Sequence, residues 1–366
     1  MSKIPTLDLF AGCGGLSYGL SKAGFYALAA NEYQPVFCES FKANHPTTDV
    51  ICGDVTSDAV FSKLKSYKGK VEVLTGGPPC QGFSTVGSKV EADPRNKLFY
   101  AMMELAAVIR PRAILFENVS GFKRMYGGRA FFELMKQLEK MGYEVPDEPR
   151  VLNAVDYGAP QHRLRTIVVA FKKGSRAHFE FPEATHANES SLIAKGLKPW
   201  LTFEEAVSDL PVIEQSKAAF KYAKKSQNDF QELMRVGAPE RLMYHDAPTH
   251  GEKLMEVMGY VGRGGCITDV PERLRPRSYF ANTYARLLPD APVPTMTRNF
   301  GTPSSSRCIH PEVNRGLTTR EGARLQTFPD RYILVGSRGE RNLQVGNAVP
   351  PFLATAVGKA LARALK

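Results

Sequence analysis

Between residues 5 and 171, short apolar runs alternate with amphipathic stretches, and that alternation limits the chain to one class of fold. The runs "PTLDLF" (5–10), "FYALAANE" (25–32), "VEVLT" (71–75), "AILFENV" (113–119) and "RTIVVAF" (165–171) have the length and composition of buried strands. Helical periodicity covers 34–43, 97–109 and 129–141, and Pro46 and Pro111 close the first two of these segments. Strands alternating with helices imply βαβ units and a mostly parallel sheet covered on both faces. The expected class is α/β, with any site along the carboxyl edge of the sheet.

The pattern breaks after Lys172. Residues 173–310 are rich in Pro, Gly, Ser and Asn, carry the single tryptophan, Trp200, and show weak periodicity. A second, smaller and irregular domain is expected over 173–329, and loops on a scaffold often carry recognition. Helical patterns return at 318–327 and in "AVPPFLATAVGKALARAL", so residues 330–366 are expected to complete the first domain, 1–172. Charge bears on the partner. The 366 residues carry a net +11 with no long basic tail, which favours a polyanion such as nucleic acid. Six cysteines occur without a Cys-x-x-Cys pair, which argues against a zinc or thioredoxin-type site and for a reducing cytoplasm. No run approaches a membrane span, and the first residues lack a signal-peptide core.

Two constellations carry chemistry. The first is "AGCGGLSYGL", where Gly12, Gly14 and Gly15 turn the chain between the first strand and first helix. Such a turn brings backbone N–H groups to a ligand. Glu32 ends the second strand, where an acid can take both hydroxyls of a ribose. Asp54, in "CGDVT", is placed to accept from an adenine amino group. Ser17 stands where Gly-x-Gly-x-x-Gly has its last glycine, so an adenosine-bearing cofactor without a pyrophosphate is favoured over a dinucleotide. The second is "TGGPPCQGFS" (75–84). Pro78 and Pro79 stiffen the backbone before Cys80, and a thiolate held this way loses little orientational freedom on attack. Glu117 follows another strand and is the acid of "ENV"; a buried strand-end carboxyl tends to hold its proton and can share it. A lone cysteine is ordinarily a small buried hydrophobe, but the prolines, the glycines and the strand-end position point to a nucleophile.

These residues, in order, resemble the DNA (cytosine-5) methyltransferases. The matching stretches are "DLFAGCGGLSYGL" (8–20), "NEY" (31–33), "GDVT" (53–56), "GGPPCQGFS" (76–84), "ENV" (117–119), "QHRLR" (161–165), "REGARLQTFPDRY" (320–332) and "QVGNAVPP" (344–351). The resemblance covers about 1–171 and 310–366. It implies a Rossmann-like domain dependent on S-adenosylmethionine, which leaves as S-adenosylhomocysteine, and no metal. Catalytic roles fall on Cys80, Glu117, Arg163 and Arg165. Phe10, Gly12, Gly14, Leu16, Glu32, Asp54, Pro78 and Asn347 would line the cofactor site. Double-stranded DNA would be the partner, contacted by Gln81, Ser84, Arg95, Thr295 and Arg298, with residues 82–96 as the loop that closes over a flipped base. A compact prokaryotic or phage enzyme, cytoplasmic and monomeric, fits this resemblance, either paired with a restriction endonuclease of the same site or acting alone.

The middle segment resembles the family only as its variable target-recognition region. It carries Arg263, Arg273, Arg275, Arg277, Arg286, Arg298 and Arg307. Arginine suits guanine edges and phosphates alike, and any one of them is more ordinarily a phosphate contact or a solvated charge than a reader of bases. A transfer-RNA methyltransferase on the same fold, a silent DNA-binding protein and a nicotinamide dehydrogenase are the rival readings. Gly82-Phe83-Ser84 after Pro-Pro-Cys-Gln and the long variable region favour DNA over transfer RNA. An intact Cys80, Glu117 and Arg163 disfavour the binder, and the glycine spacing disfavours the dehydrogenase.

Overall fold

A computed structural model describes residues 3–79, 96–146, 148–175, 177–188 and 196–366. The chain divides into two units. The first comprises residues 1–153, 164–183 and 353–366, and the second 154–163 and 184–352.

The first unit is the α/β layer that the alternation predicts. Its elements run β1 (Ile4–Leu9), α1 (Gly15–Ser21), β2 (Phe25–Glu32), α2 (Pro35–Asn44), β3 (Asp49–Cys52), α3 (Asp58–Lys65), β4 (Val73–Gly76), α4 (Lys97–Ile109), β5 (Ala113–Val119), α5 (Arg129–Lys140), β6 (Tyr143–Glu144), β7 (Arg150–Asn153) and β8 (Leu164–Lys172). The sheet order is β3-β2-β1-β4-β5-β8-β6, with β7 also paired to β8. From β3 to β5 every pairing is parallel, whereas β8 runs antiparallel to β5, β6 and β7. Leu7, Leu9, Leu74, Phe99, Met102, Leu105, Ile114 and Phe116 fill one side of the sheet. Local signals set the ends of the helices. Ser57 caps α3 by accepting from the Val60 amide, and α4 stops at Arg110, which takes a left-handed φ of 52° immediately before Pro111.

The strand order reverses between β1 and β4. Open α/β sheets leave a crevice at such a point, outside the carboxyl ends of the strands. Register then decides what lines it. Glu32 pairs with Cys52, Asn31 with Leu9, Leu9 with Gly76, and Gly76 with Phe116. The glycine turn after β1, Glu32 on β2, the Gly77-Pro78-Pro79 segment after β4 and Glu117 on β5 therefore leave the sheet at one level.

The C-terminal helix, Pro351–Ala364, is where the expected boundaries change. From Leu353 onward it belongs to the first unit, where the Thr355 hydroxyl donates to Gly19 O at 3.0 Å and Arg112 donates to Leu365 O at 2.8 Å. Residues 330–352, expected with the first domain, lie in the second. Side-chain bonds explain why: Gln326 donates to Val345 O at 2.7 Å, and Arg324 reaches Asp209 and Asp330. Residues 154–163 also fall in the second unit, whereas 173–183 stay with the first. There Phe179 packs on Phe171 and Arg150 covers Phe181.

The second unit holds few strands. A short parallel pair, β9 (His186–Ala187) and β10 (Lys198–Pro199), accompanies α6 (Phe203–Val207), α7 (Asp229–Arg235), α8 (Glu252–Tyr260), α9 (Thr319–Leu325) and α10 (Arg338–Asn347). Buried charge holds much of it together. Arg324 bonds Asp209 and Asp330, Arg320 bonds Asp330, and Arg315 grips Glu321 with two bonds of 2.9 and 2.8 Å.

Asp8 of β1 puts a carboxyl inside the first unit's sheet. It is 1% exposed and lies directly opposite Thr75 of β4. The Thr75 and Ser17 hydroxyls donate to its two oxygens at 2.7 and 2.6 Å. Burial pushes its carboxyl up from 3.8 to about 6; the two hydroxyls oppose the rise, and the charges of Glu32 and Glu117 add to it. The folded state thus holds this proton more tightly than the unfolded state, so the group's contribution to stability falls as pH rises from about 4 through 6. An Asp8→Asn variant, set against wild type in urea unfolding, should gain on the order of 2–3 kcal/mol between about pH 4.5 and pH 7.5, on top of a constant offset from the altered hydrogen bonds.

Candidate active site

The turn after β1 is built from unusual backbone. Phe10 and Gly12 both have φ of 57° and Gly14 has φ of 96°, a region that glycine enters without penalty and phenylalanine does not. Ala11 N donates to Asn31 O at 3.0 Å, and Gly12 N donates to a Glu32 carboxylate oxygen at 2.9 Å. The other Glu32 oxygen accepts from Gln34 N, also at 2.9 Å. Two amides thus fix the carboxylate, and each oxygen retains a lone pair for a hydroxyl. A Cβ placed on Gly12 would meet nothing within 4 Å, so the turn faces open space. Asp54, exposed after β3, accepts from Thr56 N and Oγ1 through one oxygen at 2.8 Å, leaving its second oxygen for a ligand. Asn31 bonds Ile51 O and Gly53 O, tying the β2 and β3 ends together. Leu16 is buried in α1. These residues fit a nucleoside: amides at the turn, a held carboxylate one strand away and a second acid beyond it. Asn347, another expected cofactor residue, ends α10 in the second unit and is exposed.

The second part of the site lies on β4, β5 and β8. Glu117 pairs with Ile167 in the ladder, and Val119 pairs with Arg165. Glu117 and Arg165 are therefore diagonal neighbours on one face, within reach of long side chains. Arg165 Nε lies 2.8 Å from Glu117 Oε1, and the two side chains are only 11% and 14% exposed.

Gly77 makes the arrangement possible. A Cβ there would lie 2.6 Å from Glu117 Oε2 and 3.1 Å from Glu117 O. Asn118 donates from its side-chain amide to Pro78 O at 2.9 Å, so the acid strand also anchors the proline segment. Pro78 is buried and Pro79 exposed. Cys80, Gln81, Ser84 and Arg95, with the expected closing loop, lie outside the described residues up to Asn96. Reading the sequence did not single out Asp8, Gly77 or Asn118. The glycine doublet at 76–77 was a visible signal; the partner of Asn118 was not.

Arg163 and Arg165 differ in use despite their spacing. Arg163 is 2% exposed and lies in the second unit, where it donates to Met296 O at 3.0 Å and Gly346 O at 2.7 Å. Gln161 accepts from Met296 N at 2.9 Å, and His162 N donates to Val293 O at 2.8 Å. The Thr295 hydroxyl donates to His162 O at 2.6 Å, although the residue is exposed; Arg298 is exposed as well. The segment around 293–298 is thus strapped to residues 161–163. Of the seven arginines named above in the middle segment, Arg286 is buried and donates to Met258 O, Val261 O, His310 O and Val313 O. Arg275 donates to Val270 O and Thr268 O, and Arg263, Arg273, Arg277, Arg298 and Arg307 are exposed. Among the described residues no group of three or more His, Cys, Asp or Glu side chains could hold a metal ion, and no helix is long and apolar enough to cross a membrane.

The sequence profile described as C-5 cytosine-specific DNA methylase matches residues 4–363. The chain is 33% identical over 359 residues to the type II methyltransferase M1.HphI of Haemophilus parahaemolyticus, covering 97% of this chain and 86% of the relative. It is 32% identical to the type II methyltransferase M.AgeI of Thalassovita gelatinovora, covering 99% of each. The fold is that of a protein encoded within an E. coli prophage, with a TM-score of 0.75, 24% identity and 99% of each chain covered. S. pombe Dnmt2 methyltransferase aligns with a TM-score of 0.59 at 18% identity, over 99% of this chain and 98% of that one.

The packing of Gly77 against Glu117 yields a direct test. Gly77→Ala should displace the carboxylate from Arg165 and lower turnover by roughly one to two orders of magnitude, as misplacement of a positioned group does. Affinity for an adenosine cofactor, measured by calorimetry, should stay within about twofold, because the Gly12–Glu32 pocket is untouched.

Proposed function

Because the chain belongs to the C-5 cytosine-specific DNA methylase family, we propose that it methylates C5 of cytosine within a specific sequence of double-stranded DNA, through a covalent bond from Cys80. The observation that most supports this reading is the Glu117–Arg165 pair beside the Gly77-Pro78-Pro79 segment. The fold supports an S-adenosylmethionine-dependent enzyme, and its methylating class is that of the type II relatives.

The chemistry follows from the residue types. A cytosine ring is a poor nucleophile at C5. Adding the Cys80 thiolate at C6 forms an S–C bond and pushes the ring electrons toward C5 and N3. Glu117 faces N3 and the exocyclic amine in this reading, and the Arg165 charge compensates the electron density that develops in the ring. S-adenosylmethionine, when bound, supplies an electrophilic methyl group. Gly12, Glu32 and Asp54 hold its adenosine part. The new bond at C5 leaves a proton there; a base removes it, the C6–S bond breaks, the aromatic ring returns and Cys80 recovers its electron pair. The target atom is inaccessible in stacked duplex, so the base is flipped out, at a cost of roughly a few kcal/mol.

Arg163 serves differently. It carries no base contact in this reading and instead fixes the 296 segment against the end of α10. The second unit reads the sequence, from its exposed arginines and loops. A cognate endonuclease acting on the same site accounts for a type II enzyme, and no direct contact between the two is needed.

Labelled S-adenosylmethionine with duplex DNA or transfer RNA separates the two substrate classes; label confined to RNA overturns the reading. Duplex containing 5-fluorocytosine, which has no C5 proton to lose, should trap a covalent complex that Cys80→Ala abolishes. Glu117→Gln should lower kcat by about 10²–10⁴ while leaving cofactor affinity unchanged.

A further inference from the structure

Phe280 has the most exposed of the large apolar side chains among the described residues, at 79%, and Tyr279 beside it is 40% exposed. Isolated exposed apolar residues are common on protein surfaces and ordinarily need no explanation. This one is presented by a braced loop. Before it, Arg275 is pinned by bonds of 2.7 Å to Val270 O and 2.8 Å to Thr268 O, and Pro276 restricts the backbone. After it, Thr283 N and Oγ1 both donate to Phe280 O at 2.9 Å, and Tyr284 N donates to Pro303 O and Ser306 O. The Tyr284 ring is buried with Val257, Met258, Val261, Ile267, Val270 and Ile309. Both ends of the 276–283 loop are thus fixed to a small core, and the aromatic pair stands outside it. Among the described residues no aromatic ring or cation covers Phe280, whereas exposed Phe220 lies under Arg241.

Charge indicates what the ring meets. Arg273 and Arg277 are exposed on either side of the pinned Arg275, and only Glu272 opposes them locally. Between residues 261 and 310 the chain has seven arginines and three acids. A bare aromatic side chain amid arginines suits a duplex: the charges take phosphates, and the apolar wedge slips between base steps that the protein unstacks.

We propose that Phe280 is a wedge that enters the DNA base stack at the target site and stabilises the duplex with its cytosine displaced. This inference rests on the reading of the chain as a DNA methyltransferase. Arg277 and Arg273 hold the backbone beside the wedge, and Tyr279 stacks or hydrogen-bonds next to it.

The experiment compares wild type, Phe280→Ala and Phe280→Trp. The probes are a duplex bearing the sequence that bisulfite sequencing of host DNA identifies for wild type, the same duplex with a mismatch at the target cytosine, and a duplex lacking the site. Phe280→Ala should bind and methylate the matched target roughly tenfold less well, the size expected for losing one base–aromatic stack. Its affinity for S-adenosylmethionine and for the duplex lacking the site should not change. On the mismatched target the defect should largely disappear, because that base is already unstacked. Phe280→Trp should behave like wild type. A Phe280→Ala protein that matches wild type on the matched duplex overturns the proposal, and so does an equal loss on all three probes. A wild type that labels no duplex at all overturns the reading of function, and the wedge falls with it.

Discussion

The reversal of one strand governs the chemistry available to this chain. In a fully parallel sheet, the strand next to β5 would enter from the opposite end and bring its first residues to the far edge. Because β8 runs antiparallel, it delivers Arg165 to the carboxyl edge, diagonal to Glu117. The resulting 2.8 Å pair is largely excluded from water, where an ion pair must be geometrically good to offset desolvation. Gly77 supplies the space, and Asn118, the residue after the acid, holds Pro78. Acid, guanidinium and proline segment thus form one rigid unit at the end of three adjacent strands.

Positive charge in this protein has two uses, and composition cannot separate them. The net +11 is read most simply as attraction to a polyanion. Yet Arg163, Arg286, Arg315, Arg320 and Arg324 are buried. Three of them pair with Glu321, Asp209 and Asp330; Arg163 and Arg286 instead donate to backbone carbonyls, among them Met296 O and Val261 O outside helix and sheet. An irregular unit has many such carbonyls, and a planar group with five donors can satisfy several at once. The same residue type that suits DNA at the surface replaces regular secondary structure inside.

Much of the first unit was legible because its signals are local. Apolar runs marked β1, β2, β5 and β8, and Pro111 marked the end of α4. The glycine turn, Glu32 and Asp54 were found because each sits at a strand end that the periodicity located. The direction of β8 was not legible: "RTIVVAF" reads the same in either orientation, and only its pairing with Glu117 shows which end matters. The boundary at 353 was hidden for a related reason. Neither helical pattern, at 318–327 or at 351–364, carries a local sign of where the boundary falls; Arg324 and Gln326 bind partners more than a hundred and about twenty residues away, respectively, and only those partners assign the segment. The two arginines of "QHRLR" are two residues apart and identical in type; burial and register alone give one to a scaffold and the other to the acid.

Glu32 shows how the fold limits the cost of holding charge at such an edge. Its carboxylate is fixed by Gly12 N and Gln34 N, so it is already oriented before a ligand arrives. The Gly12 amide is a donor that the tight turn after β1 leaves without a sheet partner, and the acid therefore satisfies the turn while the turn positions the acid. Asp8, one pleat deeper, lacks such amides and has only two hydroxyls, and its carboxyl titrates near 6 instead of its ordinary 3.8. Two acids on adjacent strands are thus held differently, one by backbone amides at the edge and one by hydroxyls within the sheet. Replacing Gly12 with a bulkier residue would force the turn out of its left-handed geometry and remove the amide that keeps Glu32 aimed.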